Sequence, residues 1–206
     1  KTLCLGMHPR LGTDSPLRDV SRDVYQMVSE FLKPTNRWTW HPRGLESEHA
    51  HTVSADGLTI VQHADCTNFV TIAEIPIMPG EKYAWKTKIV RMDAKGTMRY
   101  FGVSRSIKSY GYSDWCLQVL TGTIEIEGKG SQLDGWENAI EGDTVWVFVD
   151  RVENRMWFSK DGTKWTLGVP ELPKDGPWYP CITLQLKDDT ITTEFDVPYP
   201  ANPKLR

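Results

Sequence analysis

Alternation of hydrophobic and polar positions dominates the chain after Trp38. Residues 83–89 read Tyr-Ala-Trp-Lys-Thr-Lys-Ile, with an aromatic or β-branched side chain at every second position. This period of two is typical of a β-strand that has one face in contact with solvent. Residues 145–149 are apolar throughout, which predicts a strand buried on both faces in the middle of the fold.

Brief apolar runs that end at turn residues predict the other strands. We expect them at residues 58–61, 99–104, 115–120, 123–127, 154–159, 178–186 and 190–195. Two hairpins follow from this order: 145–149 with 154–159, and 178–186 with 190–195 across Lys187-Asp188-Asp189. About a dozen short strands separated by regular turn signals indicate two antiparallel sheets packed face to face.

Four tryptophans fall within these runs and offer large apolar surfaces. They are Trp85, Trp115, Trp146 and Trp157. Burial of indole rings removes much apolar surface from water, so we expect all four to lie between the two sheets. We therefore assign them to the core and look for function in the loops.

One amphipathic α-helix is predicted before the strands, over residues 16–33. Ser15 is a suitable N-cap, Pro16 suits the first helical position, and Pro34 ends the helix. The apolar stripe repeats at spacings of three and four through Leu17, Val20, Val24, Met27, Val28 and Phe31. The stripe either packs across the sandwich of a monomer, or belongs to the tail of an upstream coiled coil or to an oligomerisation element.

The pattern as a whole predicts an all-β fold, a two-sheet antiparallel β-sandwich with one N-terminal amphipathic α-helix. We divide the chain into an N-terminal extension over residues 1–37, the sandwich over 38–197 and a C-terminal tail over 198–206. No internal repeat and no low-complexity linker interrupts the β region, which indicates one domain.

Composition and charge narrow the choice of partner. The chain has 206 residues, 11% aromatic residues and a formal net charge of −3, which gives no global electrostatic reason to bind nucleic acid or an acidic membrane. No run of apolar residues is long enough to span a bilayer, and the first ten residues lack the apolar core of a signal peptide. We expect no membrane partner and no cofactor.

Cysteine usage favours free thiols. Cys4, Cys66, Cys116 and Cys181 are far apart and form no C-x-x-C pair. Two disulfides remain open on count, but Cys116 and Cys181 lie in apolar runs where a free cysteine behaves as a small hydrophobe. We therefore expect reduced thiols and an intracellular, cytoplasmic protein, with a nuclear location as the alternative.

Several segments, taken in order, resemble the SPRY (PRY-SPRY) family. In the first half these are 83–89, Phe101-Gly102-Val103-Ser104 and Trp115-Cys116-Leu117. In the second half they are 142–150, 156–162 and Trp178-Tyr179-Pro180 with the closing strand to Phe195. One departure is Lys160-Asp161, where the family usually has Asn before the turn glycine.

The resemblance covers roughly residues 38 to 197, and it implies a bent, concanavalin-like SPRY sandwich of two antiparallel sheets. It also implies a non-catalytic protein-interaction module. Such modules act as adaptors or scaffolds in tripartite-motif ligases, SOCS-box adaptors and RanBP-type proteins, and some recognise substrates of ubiquitin ligases. The expected partner is a protein or a short peptide.

In peptide-binding members of the family the ligand lies on one rim that is built from three loops. Carried onto this chain, the partner-binding positions are Gln62, His63, Asp65, Arg105, Lys108, Tyr110, Tyr112, Asp114, Leu186 and Lys187. The best-understood pocket has Arg in the first loop and Trp-Gly in the last, where this chain has Gln62 and Leu186-Lys187. Its acidic-amide peptide motif is therefore not expected to transfer.

The middle loop carries the strongest local signal for binding. Tyr110 and Tyr112 flank a glycine, with Arg105 and Lys108 upstream. Aromatic faces beside cations offer contact area at low entropic cost together with hydrogen-bond donors, which is the composition of a binding hot spot. The alternative is that both tyrosines pack onto the sandwich and that the cations are ordinary solvated residues.

The sequence gives weaker support to three other functional classes, which are a glycosidase, a metal-binding protein and an RNA-binding protein. Glu125-Ile126-Glu127 resembles half of the catalytic strand of laminarinase-like glycosidases, but Gly128-Lys129-Gly130 follows where another carboxylate is needed, so we expect no enzyme activity. His41, His49 and His51, with Glu46 and Glu48, fit surface residues better than a metal site. RNA contact through basic residues near Tyr83, Tyr100 and Tyr110 is a minor alternative, since no RNA-binding motif accompanies them.

Overall fold

The computed structural model describes residues 38–41, 51–65, 70–93, 99–105 and 115–200. All of them belong to the compact unit Trp38–Arg206. The helix predicted over residues 16–33 lies outside the described residues. No helix in the described ranges has the length and apolar character that a bilayer crossing needs.

Fourteen strands form within the described ranges. In chain order they are β1 Trp40–His41, β2 His51–Val53, β3 Thr59–Gln62, β4 Val70–Ala73, β5 Lys82–Arg91, β6 Tyr100–Ser104, β7 Trp115–Gln118, β8 Thr123–Ile126, β9 Lys129–Gln132, β10 Thr144–Asp150, β11 Arg155–Ser159, β12 Thr166–Val169, β13 Tyr179–Thr183 and β14 Thr190–Phe195. They make two seven-stranded sheets, with the orders β1-β4-β13-β6-β7-β8-β9 and β12-β11-β10-β5-β14-β3-β2. Neighbouring strands pair antiparallel, which confirms the predicted all-β, two-sheet fold.

The core lies between the two sheets because alternate residues of each central strand face inward. The first sheet contributes Phe101 and Leu117, and the second contributes Trp85, Val147 and Phe158, each at most 1% exposed. The strand β10, predicted to be buried on both faces, lies third in its sheet between β11 and β5. Its hairpin with β11 is confirmed, with Trp146 opposite Ser159.

The prediction that four tryptophans lie between the sheets is right for two and wrong for two. Trp85 and Trp115 belong to the main core. Trp146 and Trp157 pack with Phe148 in a second cluster, away from the main core. The alternation of β10 explains this: Val145, Val147 and Val149 join the main core and therefore direct Trp146 to the opposite face.

The predicted hairpin of residues 178–186 with 190–195 is also wrong. β13 pairs with β4 and β6 in the first sheet, whereas β14 pairs with β3 and β5 in the second. Each strand is central and has two neighbours, so the connection between them crosses from one sheet to the other. A strand, a short polar turn and a second strand have the same sequence pattern whether the two strands pair in one sheet or lie in different sheets.

The last described residues pack against the second hydrophobic cluster. Tyr199, assigned to the tail, stacks on Phe148 at 5.0 Å between ring centroids and an interplanar angle of 9°. Val197 is 4% exposed in the same cluster. The chain therefore still contributes to packing at residue 199.

Candidate functional site

The first and last loops of the predicted site meet at one end of the sandwich. The backbone oxygen of Gln62 accepts a hydrogen bond from Asp188 N at 2.8 Å, and Gln62 N donates to Asp189 O at 2.9 Å. Asp65 Oδ1 accepts from Lys187 N at 2.7 Å. We call this the Asp65 end, defined by Gln62, Asp65 and residues 186–189.

Most polar groups at the Asp65 end are used within the chain. Gln62 is 2% exposed, and its Nε2 donates to Ala64 O at 2.8 Å. His63 is exposed and its Nε2 lies 2.9 Å from Thr52 Oγ1, while Leu186 is half-buried. Lys187 remains the exposed cation of this group.

A buried ion pair lies beneath this end. Arg99 Nε is 2.8 Å from Asp189 Oδ2, and Arg99 Nη2 is 2.6 Å from Asp189 Oδ1. Both side chains are 1% exposed. Asp189 Oδ2 also accepts from Leu186 N at 3.1 Å, so the pair fixes the last loop to the start of β6.

Arg105 lies at the opposite end of the sandwich. Antiparallel pairing places Tyr100 opposite Thr183 and Ser104 opposite Tyr179. The two ends of β6 are about 13 Å apart, from four residues at the rise of a strand. The last loop follows Thr183, whereas Arg105 follows Ser104, so Arg105 and the last loop lie at opposite ends of β6.

Lys108, Tyr110, Tyr112 and Asp114 lie outside the described residues. The described residues that flank them are Arg105 and Trp115, and Trp115 pairs with Val103 near the same end of β6. The connection that carries both tyrosines therefore starts and finishes at the Arg105 end. The strands account for this separation, because β6 runs antiparallel to β13.

Arg105 is part of a cluster of cations and indole rings. Its guanidinium carbon lies 5.1 Å from the ring centroid of Trp178 and 5.8 Å from that of Trp115. The two indoles meet edge to face, with centroids 4.5 Å apart. Arg105 Nη2 contacts Asp175 Oδ1 at 2.7 Å, and its side chain is 39% exposed.

Arg151 completes this cluster and was missed by the sequence analysis. Its guanidinium carbon lies 5.8 Å from the centroid of Trp178, so two arginines border one indole. Arg151 is 2% exposed, and its Nη2 donates to Lys174 O at 2.9 Å. Within the described part of the chain, Nε and Nη1 of Arg151 have no hydrogen-bond partner. In the sequence Arg151 is a cation directly after an apolar strand, and this pattern is typical of an ordinary exposed turn.

The main chain around Arg151 is tightly held. Arg151 N donates to Glu81 O at 2.8 Å. The preceding Asp150 pairs with Lys82 at 2.6 Å and accepts from Val152 N at 2.8 Å and Glu153 N at 3.0 Å. This turn therefore presents the Arg151 side chain to Trp178 in one fixed direction.

Arg151 is the buried charged group of the cluster, and its surroundings shift its pKa. Burial, followed by the positive charge of Arg105, lowers the pKa of the Arg151 guanidinium, and the charge of Asp175 partly offsets this. Arginine still keeps its proton at neutral pH. The arginine–tryptophan cluster (Arg105, Arg151, Asp175, Trp115 and Trp178) thus holds two cations and one acid.

Exposed apolar side chains adjoin the cluster. Val152, next to Arg151, is 54% exposed, and Met78 is 46% exposed. Met78 N donates to Glu81 Oε2 at 2.8 Å, which keeps Met78 beside the segment that holds Arg151. We call the whole region the Arg105 end: the arginine–tryptophan cluster with Met78 and Val152.

The carboxylate arrangement considered for a glycosidase does not form. Glu125 belongs to β8, opposite Cys116, whereas Glu127 follows the strand with a positive φ of 49°. Glu127 and Gly128 make the turn to β9, so the two acids do not alternate along one strand.

Among the residues considered for a metal site, His51 is 3% exposed, and its Nε2 lies 3.4 Å from Thr71 Oγ1. His49, Glu46 and Glu48 lie outside the described residues.

Two described residues of the region considered for RNA contact, Tyr83 and Lys86, have partners within the fold. Tyr83 stacks on Trp38 at 3.9 Å between centroids, so that face of its ring does not meet solvent. Lys86 pairs with Glu194 at 2.7 Å and lies 5.1 Å from the ring centroid of Trp146. Tyr110 lies outside the described residues.

Comparison with solved structures identifies the architecture. The chain is similar to the SPRY domain of human HERC1, with 18% sequence identity and a TM-score of 0.62, over 75% of this chain and 96% of that one. The TRIM65 PSpry domain gives 14% identity and a TM-score of 0.58, over 76% of this chain and 90% of that one. The described residues have a SPRY-like fold.

This SPRY-like sandwich is also similar to stonustoxin, at 12% identity and a TM-score of 0.54, over 77% of this chain and 26% of that one. No protein-family model and no curated protein matches the sequence. The predicted resemblance to SPRY domains is confirmed for the fold. At these identities the comparison is about architecture, and any function must be argued from the residues at the two ends.

Proposed function

We propose that this chain is a non-catalytic protein-interaction module that binds a short segment of a partner protein at the Arg105 end. It would act as an adaptor or scaffold, as SPRY domains of ubiquitin ligases and related proteins do. An intracellular location is part of the proposal.

One observation carries the choice of end: Arg105 and Arg151 border Trp178 at the place where the connection bearing Tyr110 and Tyr112 leaves the sandwich. Hot spots combine arginine and aromatic side chains with fixed geometry, because such groups lose little entropy when a partner binds. Met78 and Val152 add exposed apolar area beside them. The Asp65 end is less suited, since its backbone groups and the Asp65 carboxylate already bond within the chain.

Affinity capture with mass spectrometry tests the proposal. The wild-type chain is compared with the double variant Tyr110→Ala and Tyr112→Ala, and both are checked by thermal melting. We expect the variant to lose the captured partner while its melting temperature stays the same. Retention of the partner by a folded double variant would overturn the assignment of the site.

A matched control comes from the opposite end. Lys187→Ala removes an exposed cation at the Asp65 end, about one strand length from the proposed surface. We expect this variant to capture the same partner as the wild type. Loss of the partner in Lys187→Ala alone would move the binding surface to the Asp65 end.

A further inference from the structure

We propose that the arginine–tryptophan cluster is a receptor for a carboxylate in an acidic segment of the partner protein, an inference that rests on the proposed function. Arg105 would contact the carboxylate directly. Arg151 would act behind it as a fixed positive charge. Asp175 would occupy the place of the partner's carboxylate in the free protein.

The balance of charge in the cluster favours an anion. Arg105 and Arg151 supply two positive charges, and Asp175 supplies one negative charge, so the formal sum is +1. Arg151 is 2% exposed and cannot be neutralised by losing its proton. A buried cation with incomplete hydrogen bonding is stabilised by a nearby negative charge, and among the described residues of the cluster Asp175 supplies one.

The unpaired hydrogen-bond donors of Arg151 also favour binding of an anion. Two nitrogens of Arg151, Nε and Nη1, find no acceptor among the described residues. Buried donors are nearly always paired in folded proteins, and leaving them unpaired is costly. A carboxylate arriving at the Arg105 end would lower this cost through its charge.

Arg105 has the exposure that a direct contact requires. Its side chain is 39% exposed and has one ion-pair contact, at 2.7 Å from Nη2 to Asp175 Oδ1. The rings of Trp178 and Trp115 support its guanidinium plane. A planar guanidinium held in this way suits bidentate binding of a carboxylate, which lysine cannot reproduce.

Asp175 behaves as an exchangeable occupant. Its side chain is 83% exposed, and Gly176 follows it with a positive φ of 72°. An exposed ion pair of this kind contributes little to stability, so a carboxylate of the partner can replace Asp175 at small cost. This predicts that removal of the Asp175 charge strengthens binding, which a purely structural ion pair would not do.

The partner segment is expected to be acidic and also apolar. Met78 and Val152 flank the cluster with 46% and 54% exposure. A peptide that places an Asp or Glu on Arg105 would therefore bring neighbouring side chains onto this apolar margin. The combination of one charged contact and an apolar margin gives both orientation and affinity.

A displayed library of random twelve-residue peptides, selected on the whole chain, is the probe. We expect selected peptides to be enriched in Asp and Glu. Each binder is then synthesised beside its Glu→Gln or Asp→Asn counterpart, and affinities are measured by fluorescence anisotropy. Loss of the acid should weaken binding by roughly tenfold or more, the range of a charge-assisted contact.

Three variants separate this role from a structural one. Arg105→Ala should weaken acidic peptides by roughly tenfold, and Asp175→Asn should tighten them by about threefold. Arg91→Ala is the matched control, because Arg91 pairs with Asp188 at 3.5 Å on an exposed surface, and it should leave affinity unchanged. Binding of acidic peptides that is indifferent to Arg105→Ala, or weaker in Asp175→Asn, would overturn the proposal.

The same experiment distinguishes failure of the carboxylate receptor from failure of the proposed function. Selected peptides that lack acids, but lose binding in the Tyr110→Ala and Tyr112→Ala variant, would contradict the carboxylate receptor and leave the proposed function standing. Peptides that bind equally well to that variant and to Arg105→Ala would contradict the proposed surface itself. A library that yields no binder contradicts both.

Discussion

Arg99 and Asp189 form a bidentate ion pair that is buried at the junction of the two sheets, with both side chains 1% exposed. Arg99 directly precedes β6 of the first sheet, and Asp189 directly precedes β14 of the second. The pair therefore fixes the crossover that the sequence pattern presented as a hairpin.

Asp189→Asn should destabilise the protein strongly, because Arg99 would remain buried without its counter-charge. Loss of one partner of a buried pair costs about 3–5 kcal/mol. Asp188→Asn is the control: Asp188 pairs with Arg91 at 3.5 Å, with side chains 47% and 65% exposed, and should cost about 1 kcal/mol or less. Equilibrium unfolding in denaturant measures both. Equal losses in the two variants would contradict the structural role of Arg99 and Asp189.

Asp161 should make stability depend on pH in the acid range. Hydrogen bonds from the backbone amides of Lys164 and Thr163 lower the pKa of its carboxyl group to about 2. Because the pKa in the unfolded chain is about 3.9, the stabilisation is complete above that pH and is lost as the pH falls towards about 2. The free energies of unfolding of wild type and Asp161→Asn should therefore converge between about pH 5 and pH 2. A constant difference over this range would show that the carboxylate contributes nothing.

Gly102→Ala should be among the most damaging substitutions in the chain. An added Cβ would lie 2.7 Å from the Cα of Cys116 and against the carbonyl oxygen of Trp115, and backbone atoms in a central strand cannot move aside. We expect a loss of about 3 kcal/mol or more. Gly130→Ala is the control, since its Cβ would meet the Thr123 methyl at 3.1 Å on an exposed strand, and it should cost about 1 kcal/mol or less. Similar melting temperatures for the two variants would contradict the packing at Gly102.

Cys116 and Cys181 should remain unlinked even under oxidising conditions. Their sulfurs are 3.6 Å apart, but both residues pair with Gly102 from opposite sides of β6. Their Cα atoms are thus separated by two strand spacings, about 9.5 Å, whereas a disulfide needs less than about 7 Å. Peptide mapping after oxidation, with a reduced sample as control, should find no peptide that links the two residues. Detection of that linkage would mean that the strand order is wrong.

The sequence predicted those parts of the fold in which local pattern and environment agree. The apolar run of β10 has no arrangement other than burial on both faces, and the short connection from Asp150 to Asn154 allows only a hairpin with β11. β9 was missed because Lys-Gly-Ser-Gln has no apolar position, and all four residues are exposed. β9 forms because it pairs with β8, and pairing with another strand cannot be predicted from the hydrophobic pattern of β9 itself.

The candidate site was predictable only in part, for a reason that lies in topology. The loops of Gln62, Asp65 and Lys187 meet because β3 and β14 are neighbours, whereas Arg105 leaves the far end of β6. Strand direction decides which loops share an end, and the sequence had misassigned β13 to a hairpin. The role of Arg151 could not be predicted for a related reason. Its burial beside Trp178 depends on tertiary contacts and not on the residues next to it in the sequence.

Site-specific photo-crosslinking tests the central claim most directly, that a partner segment binds at the Arg105 end. A photoreactive amino acid replaces exposed Val152 at that end or exposed Lys187 at the Asp65 end, and each chain is irradiated with the partner captured by the wild type. We predict a crosslink from position 152 to an acidic segment of the partner and none from position 187. A crosslink from position 187 together with none from position 152 would contradict the account.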